Sequence, residues 1–321
     1  MKRREFLALI GGAIAAWPGA GWAQPGKVAR IGVLVLGNPD PGPFLTELRA
    51  GLRILGYVEG QDIHLEFRSA GGNPNVLAAL AAELVGLKVD IIVAFQTPTV
   101  IAAKEATNDI PIVMCPAGDP IATGLVASLS RPGGNVTGVS GATAELGAKN
   151  LELIREVLPS ARRVAALANA PDPFHKPFLH YIDKAAGTLG IEFKPFLVQR
   201  PEAIDASFLE VEKWRAEAVI VQPSLPLGRA AVLAVKHRLP AISPTAPFPA
   251  AGGLMSYSAD TRALIREGAV FVDKILKGRK PADLPVQQPI KFQLNVNLKT
   301  AKAIGLTVPA TLLARADDVI E

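Results

Sequence analysis

The chain has 321 residues, of which 49% are apolar and 20% charged, with a formal net charge of +5. That length exceeds what one simple core fills and suits two lobes. Acidic and basic residues are interspersed, which excludes a basic nucleic-acid surface, and the single cysteine, Cys115, excludes an internal disulfide or a cysteine-rich metal site.

Lys2, Arg3 and Arg4 precede an apolar run from Phe6 to Trp17, and small residues follow at Gly21 and Ala23. This pattern predicts an export signal over 1–23, with mature protein from Gln24. The run is shorter than the roughly 20 residues of a bilayer-spanning helix. Arg3-Arg4-Glu5-Phe6-Leu7 resembles a twin-arginine signal, which implies export in the folded state. The expected location is therefore the periplasm.

Continuous apolar runs and amphipathic stretches then alternate. Residues 29–36 (ARIGVLVL) read as a central strand. Phe44, Leu45, Leu48, Leu52 and Leu55 recur at helical spacing, closed by Gly56. An edge strand follows at 63–67, a helix at 74–87, a buried strand at 89–95, a helix at 98–107 and a strand at 110–114. Asp119-Pro120 has the cap and first-residue chemistry of a further helix. After the turn cluster Arg131-Pro132-Gly133-Gly134-Asn135 the alternation restarts. Helices are expected at 146–158, 174–189, 201–214 and 225–238, with strands at 163–168, 191–198 and 218–221. Residues 241–253 read as irregular, 261–276 as a long amphipathic helix, and 290–298 as a strand of period two.

Such alternation predicts an α/β fold of doubly wound parallel-sheet lobes. Irregular stretches near 138–142, 246–254 and 284–290 are the expected chain crossings, which makes a three-crossing hinge. The first lobe is then 28–139 plus 250–284, and the second 140–249 plus 285–321.

Motifs for catalysis are missing. The first strand is followed by Gly37-Asn38-Pro39-Asp40-Pro41-Gly42-Pro43, which does not fit a dinucleotide fingerprint. There is no phosphate loop, no Gly-x-Ser-x-Gly elbow, and no metal-hydrolase spacing among His64, His175, His180 and His237. No catalytic residue, cofactor or metal site is assigned, and no enzyme activity is expected. Polar residues do follow the strand ends, where open parallel sheets bind ligands. In the first lobe these are Asn38, Gln96, Thr97-Pro98 and Gly118-Asp119; in the second they are Asn169, Asp172, Gln222 and Ser224. Thr97 stands at a helix start, as a cap or as an anion contact. Asp119 is likewise a cap or a ligand contact. Tyr257 is an aromatic near a crossing, able to stack on a ligand or to serve structure.

Several stretches resemble one family. LRILGYVEGQDIHLEFR (52–68), AAELVGLKVDIIVAF (81–95), IPIVMCPAGDP (110–120), GLVASLSRPGGNVTG (124–138), GGLMSYS (252–258), the stretch 272–306 and LLARADDVIE (312–321) carry the likeness. They resemble ABC-transporter substrate-binding proteins related to tryptophan and tyrosine receptors, which share the type I periplasmic binding fold. The resemblance implies a receptor without catalysis that delivers a small molecule to the transmembrane subunits of an ABC permease; the expected ligand is an amino acid or related carboxylate, with aromatic amino acids bound by the better-studied members. It places Thr97-Pro98, Gly118-Asp119-Pro120 and Tyr257 in the cleft. A monomer without nucleic-acid partners is expected. The alternative function is a periplasmic ligand-sensing module for a membrane signalling partner. Loops 37–44 and 169–180 are least like the family, so the ligand stays open.

Overall fold

The computed structural model describes residues 28–37 and 42–321. The expected signal at 1–23 and the candidate Asn38 lie outside the described residues. Among the described residues, no helix is long and apolar enough to cross a membrane.

The first sheet contains β1 (Ala29–Val35), β2 (Ile63–Ser69), β3 (Ile91–Phe95), β4 (Ile112–Ala117) and β5 (Val136–Ser140). Its five strands are parallel and run in the order β2-β1-β3-β4-β5. Helices α1 (Gly42–Ile54), α2 (Leu77–Gly86) and α3 (Thr97–Ala106) connect them. The unbroken apolar run of β1 has a direct cause. Ile31 and Val33 join a core with Leu48 and Leu52 of α1, while Leu34 joins Leu84 and Ile92 on the other face. A strand covered on both faces needs apolar residues at every position.

The second sheet contains β6 (Arg163–Asn169), β7 (Glu192–Val198), β8 (Ala218–Val221), β9 (Ala241–Ile242), β10 (Met255–Ala259), β11 (Phe292–Asn297) and β12 (Asp318–Ile320). These seven strands run in the order β12-β11-β10-β9-β8-β6-β7, with only the β10–β11 pair antiparallel. Helices α4 (Thr143–Val157), α5 (His175–Leu189), α6 (Ile204–Lys213), α7 (Leu227–Lys236) and the short α8 (Pro247–Ala250) belong to this lobe. Helix α9 (Thr261–Leu276) returns to the first lobe and packs on α1 and β4. The chain ends with α10 (Leu298–Ile304) and α11 (Ala310–Leu313) around the second sheet.

Hydrogen bonding moves the expected lobe boundaries at two places. Residues 255–259, expected in the first lobe, form β10 and pair with β9 and β11 of the second sheet. The middle crossing therefore falls at 259–261, not at 246–254. Gln287, expected in the second lobe, bonds to Gly138 and Ser140 and extends the first sheet beyond β5. The expected helix at Asp119-Pro120 is a single turn. Asp119 Oδ1 accepts from Ala122 N at 3.0 Å, but Gly124 takes a φ of +72° and turns the chain away. Cys115 lies in β4 and is fully buried, and burial pushes its thiol up to about 12.

Candidate ligand-binding site

Strand β3 ends at Phe95, and α3 begins two residues later. The connecting residue Gln96 has φ 76° and ψ 153°. That backbone region is essentially reserved for glycine and costs on the order of 1–3 kcal/mol. Neighbours hold Gln96 there. Its N–H donates to the Pro116 carbonyl at 2.9 Å, and its carbonyl accepts from the Thr99 hydroxyl at 2.7 Å. Its side-chain amide donates to the Pro223 carbonyl at 3.1 Å, so a first-lobe residue is bonded to the second lobe.

Thr97 is the first residue of α3 and Gln96 its cap, one position earlier than the sequence suggests. The Thr97 hydroxyl does not cap its own helix. It accepts from the Gly118 N–H at 3.1 Å and so ties α3 to the loop after β4. Thr97 is 3% exposed. First-turn N–H groups have no partner inside a helix, and Thr97, the first residue of α3, lines the cleft at this end. Pro98, next in line, is buried as the second helical residue and does not reach the cavity.

Asp172 faces them from the second lobe, in the loop after β6. It is 1% exposed. One carboxylate oxygen accepts from Phe174 N at 3.0 Å; the other accepts from Gln222 Nε2 at 2.8 Å and Ser224 Oγ at 2.6 Å. The Gln222 amide is held in this sense because its oxygen accepts from Asn169 N at 2.8 Å. Burial pushes the Asp172 carboxyl above its ordinary value, against the pull of the bonds from Ser224, Phe174 and Gln222.

Between the lobes lies a cavity of about 70 Å³, partly open to solvent. Phe95, Gln96, Thr97, Pro116 and Gly118 line it from the first lobe. Asp172, Phe174, Pro223, Ser224 and Thr245 line it from the second. Gly141, Thr143, Ser258 and Thr261 close it where the chain crosses. Among the described lining residues, Asp172 is the one formally charged side chain. The cavity therefore offers a carboxylate on one wall and open N–H groups at a helix start on the other. That arrangement suits a ligand with a cationic and an anionic end.

The candidates sort by this geometry. Gln96 and Thr97 line the cavity. Asn169 and Gln222 do not; they stand behind Asp172 and Ser224 and orient them. Asp119 is spent on its own turn, through Ala122 N and the Thr123 hydroxyl. Tyr257 points away from the cavity. On β10 its side chain takes the face opposite Ser256 and Ser258. There it packs against the second-lobe core, its ring stacked 6.0 Å from that of Phe292. Phe174, Ser258, Thr143 and Thr245 carried no sequence signal of their own. Ser258 was legible in principle, as the alternate position to Tyr257 on a strand ending at a crossing.

Comparison with known proteins places this geometry among others. The sequence model of the family described as ABC transporter substrate binding protein matches residues 44–320. A tyrosine-binding protein of Clostridioides difficile is 27% identical over 263 residues, spanning 78% of this chain and 73% of that protein. The ABC domain from Streptococcus pneumoniae, solved in complex with L-Trp, superposes with a TM-score of 0.84 at 27% identity. That match covers 92% of this chain and all (100%) of the other. A conserved domain protein of Vibrio cholerae superposes with a TM-score of 0.85 at 26% identity, over 91% of this chain and 100% of that one.

Proposed function

Because the chain belongs to the family of ABC transporter substrate-binding proteins, we propose that it is an extracytoplasmic receptor that captures an amino acid between its lobes and delivers it to a membrane permease. The observation that carries the reading is the pairing of Asp172 with the start of α3 across one cavity. Asp172 is buried, and every polar group bonded to it donates. A carboxylate so placed gains from an ammonium group, a donor that also carries positive charge. Opposite it, the first turn of α3, which begins at Thr97, offers N–H donors to a ligand carboxylate. The relatives bind tyrosine and L-Trp by their names, which favours an α-amino acid headgroup here. One copy holds both walls of the cavity, which supports a receptor that binds its ligand without a second copy.

Titration calorimetry with free amino acids, their N-acetyl derivatives and their amides tests this. Each derivative removes one charged end of the headgroup. A charge-assisted hydrogen bond is worth about 1.5–3 kcal/mol, so either derivative is expected to bind about ten-fold or more weakly than the parent. Equal binding of the parent and its N-acetyl form contradicts the role of Asp172. Equal binding of the parent and its amide contradicts the role of α3.

A further inference from the structure

Strand β10 carries two hydroxyls, Ser256 and Ser258, that are buried and have no hydrogen-bond partner. A buried hydroxyl left unmatched costs about 1–3 kcal/mol. Such groups are rare in native proteins and each calls for a cause. The two serines share one face of the strand, two residues apart. They differ in one respect. Ser258 lines the inter-lobe cavity and Ser256 does not. Ser258 is 2% exposed and stands immediately before the middle crossing, between the walls formed by the two lobes. Thr245 and Thr261 line the same cavity, yet neither is bonded to Ser258.

We propose that the Ser258 hydroxyl is a specificity-determining ligand contact, and that the bound amino acid brings a side-chain hydroxyl or amide to it. The inference rests on the amino-acid reading above. The headgroup contacts lie with Asp172 on one wall and α3 on the other. Ser258 is a third polar position, on a crossing strand, with Leu264 and Ala259 as apolar neighbours in the lining. A ligand with an apolar side chain leaves the Ser258 hydroxyl unmatched in a drier cavity. A ligand with a hydrogen-bonding end satisfies it. A site built to bond a polar group rejects the analogue that lacks it.

The test uses matched pairs of free amino acids, L-tyrosine with L-phenylalanine and L-threonine with L-valine. Affinities are measured for the unaltered chain, Ser258→Ala and Ser256→Ala. The polar member of at least one pair is expected to bind about ten-fold more tightly to the unaltered chain. Ser258→Ala removes that preference by weakening the polar member alone. Ser256→Ala, on the same strand face but off the cavity, keeps the preference. Both variants replace an unmatched hydroxyl by hydrogen, so neither lowers the melting temperature of the ligand-free protein. A preference that survives Ser258→Ala, or equal binding of both members of each pair, overturns the inference and leaves the headgroup reading intact. Failure of all four amino acids, and of the remaining natural ones, to raise the melting temperature overturns the amino-acid reading and this inference with it.

Discussion

Asp172 titrates in the opposite sense to carboxylates such as Glu217. Glu217 accepts the N–H groups of Arg162 and Arg163, which hold its carboxyl below the ordinary value. Its contribution to stability is present above the unfolded value and is lost as pH falls through the folded one. Asp172 is held high by burial. The folded state binds its proton more tightly than the unfolded chain does. Its contribution therefore grows as pH falls from above the folded value toward the ordinary carboxylate range, and neutral pH leaves a desolvated charge. Ligand binding runs the other way, because an ammonium group needs the ionised form. Affinity is thus expected to fall on acidification, beginning at a higher pH than for an exposed carboxylate. Asp172→Asn is expected to weaken binding about ten-fold or more and to abolish that acid-side slope. Calorimetry from neutral pH downward measures both; an unchanged slope in the variant refutes the assignment.

Helix α3 shows what one element does for the site and how far sequence reaches. Its existence was legible, because VDIIVAF is a strand run and Thr97-Pro98 is a helix start. The job of the Thr97 hydroxyl was not, since its partner Gly118 is 21 residues away and meets it only in the fold. The same holds for Tyr257 and Ser258. The short β10 escapes a periodicity reading because its burial comes from β9 and β11, not from a local pattern. Gln96 and Thr97, after the strand run 89–95, line the cavity, whereas Asp119, Asn169 and Gln222, which also follow buried strands, do not, and Tyr257 lies on a short strand at a crossing. For α3 the consequence is measurable. Thr97→Ala removes no cap but leaves the buried Gly118 N–H without its acceptor, which costs about 1–3 kcal/mol. Urea unfolding is expected to show this loss, and calorimetry a fall in ligand affinity about as large as ten-fold. Thr97→Ser keeps the hydroxyl and is expected to retain both. A Thr97→Ala variant that loses stability while keeping its affinity leaves Thr97 a structural tie and not a ligand contact.

At the scale of the whole molecule, one contact between the lobes leaves no tolerance. The Phe174 ring, from the second lobe, rests on the backbone of Gly118 in the first. A Cβ at position 118 would lie 2.6 Å from two ring carbons of Phe174. The ring has no room to retreat, being 4% exposed and packed in the second-lobe core at 5.8 Å from the ring of Phe178. Gly118→Ala therefore opposes contact between lobes without disturbing either core. Lobes joined at a hinge relieve such a clash by rotating apart. A further direct link, Gln96 to Pro223, is a single hydrogen bond and is lost with that rotation. The ligand-free Gly118→Ala protein is expected to melt close to the unaltered chain, to have a larger radius of gyration by X-ray scattering, and to bind amino acids more weakly. Phe174→Leu removes the ring edge. Added to Gly118→Ala, it is expected to restore the smaller radius, a coupling that appears as non-additivity in a double-mutant cycle. If Gly118→Ala scatters like the unaltered chain, the two residues do not govern closure. If the radius grows but Phe174→Leu does not reverse it, the added methyl acts within the first lobe and not across the cleft.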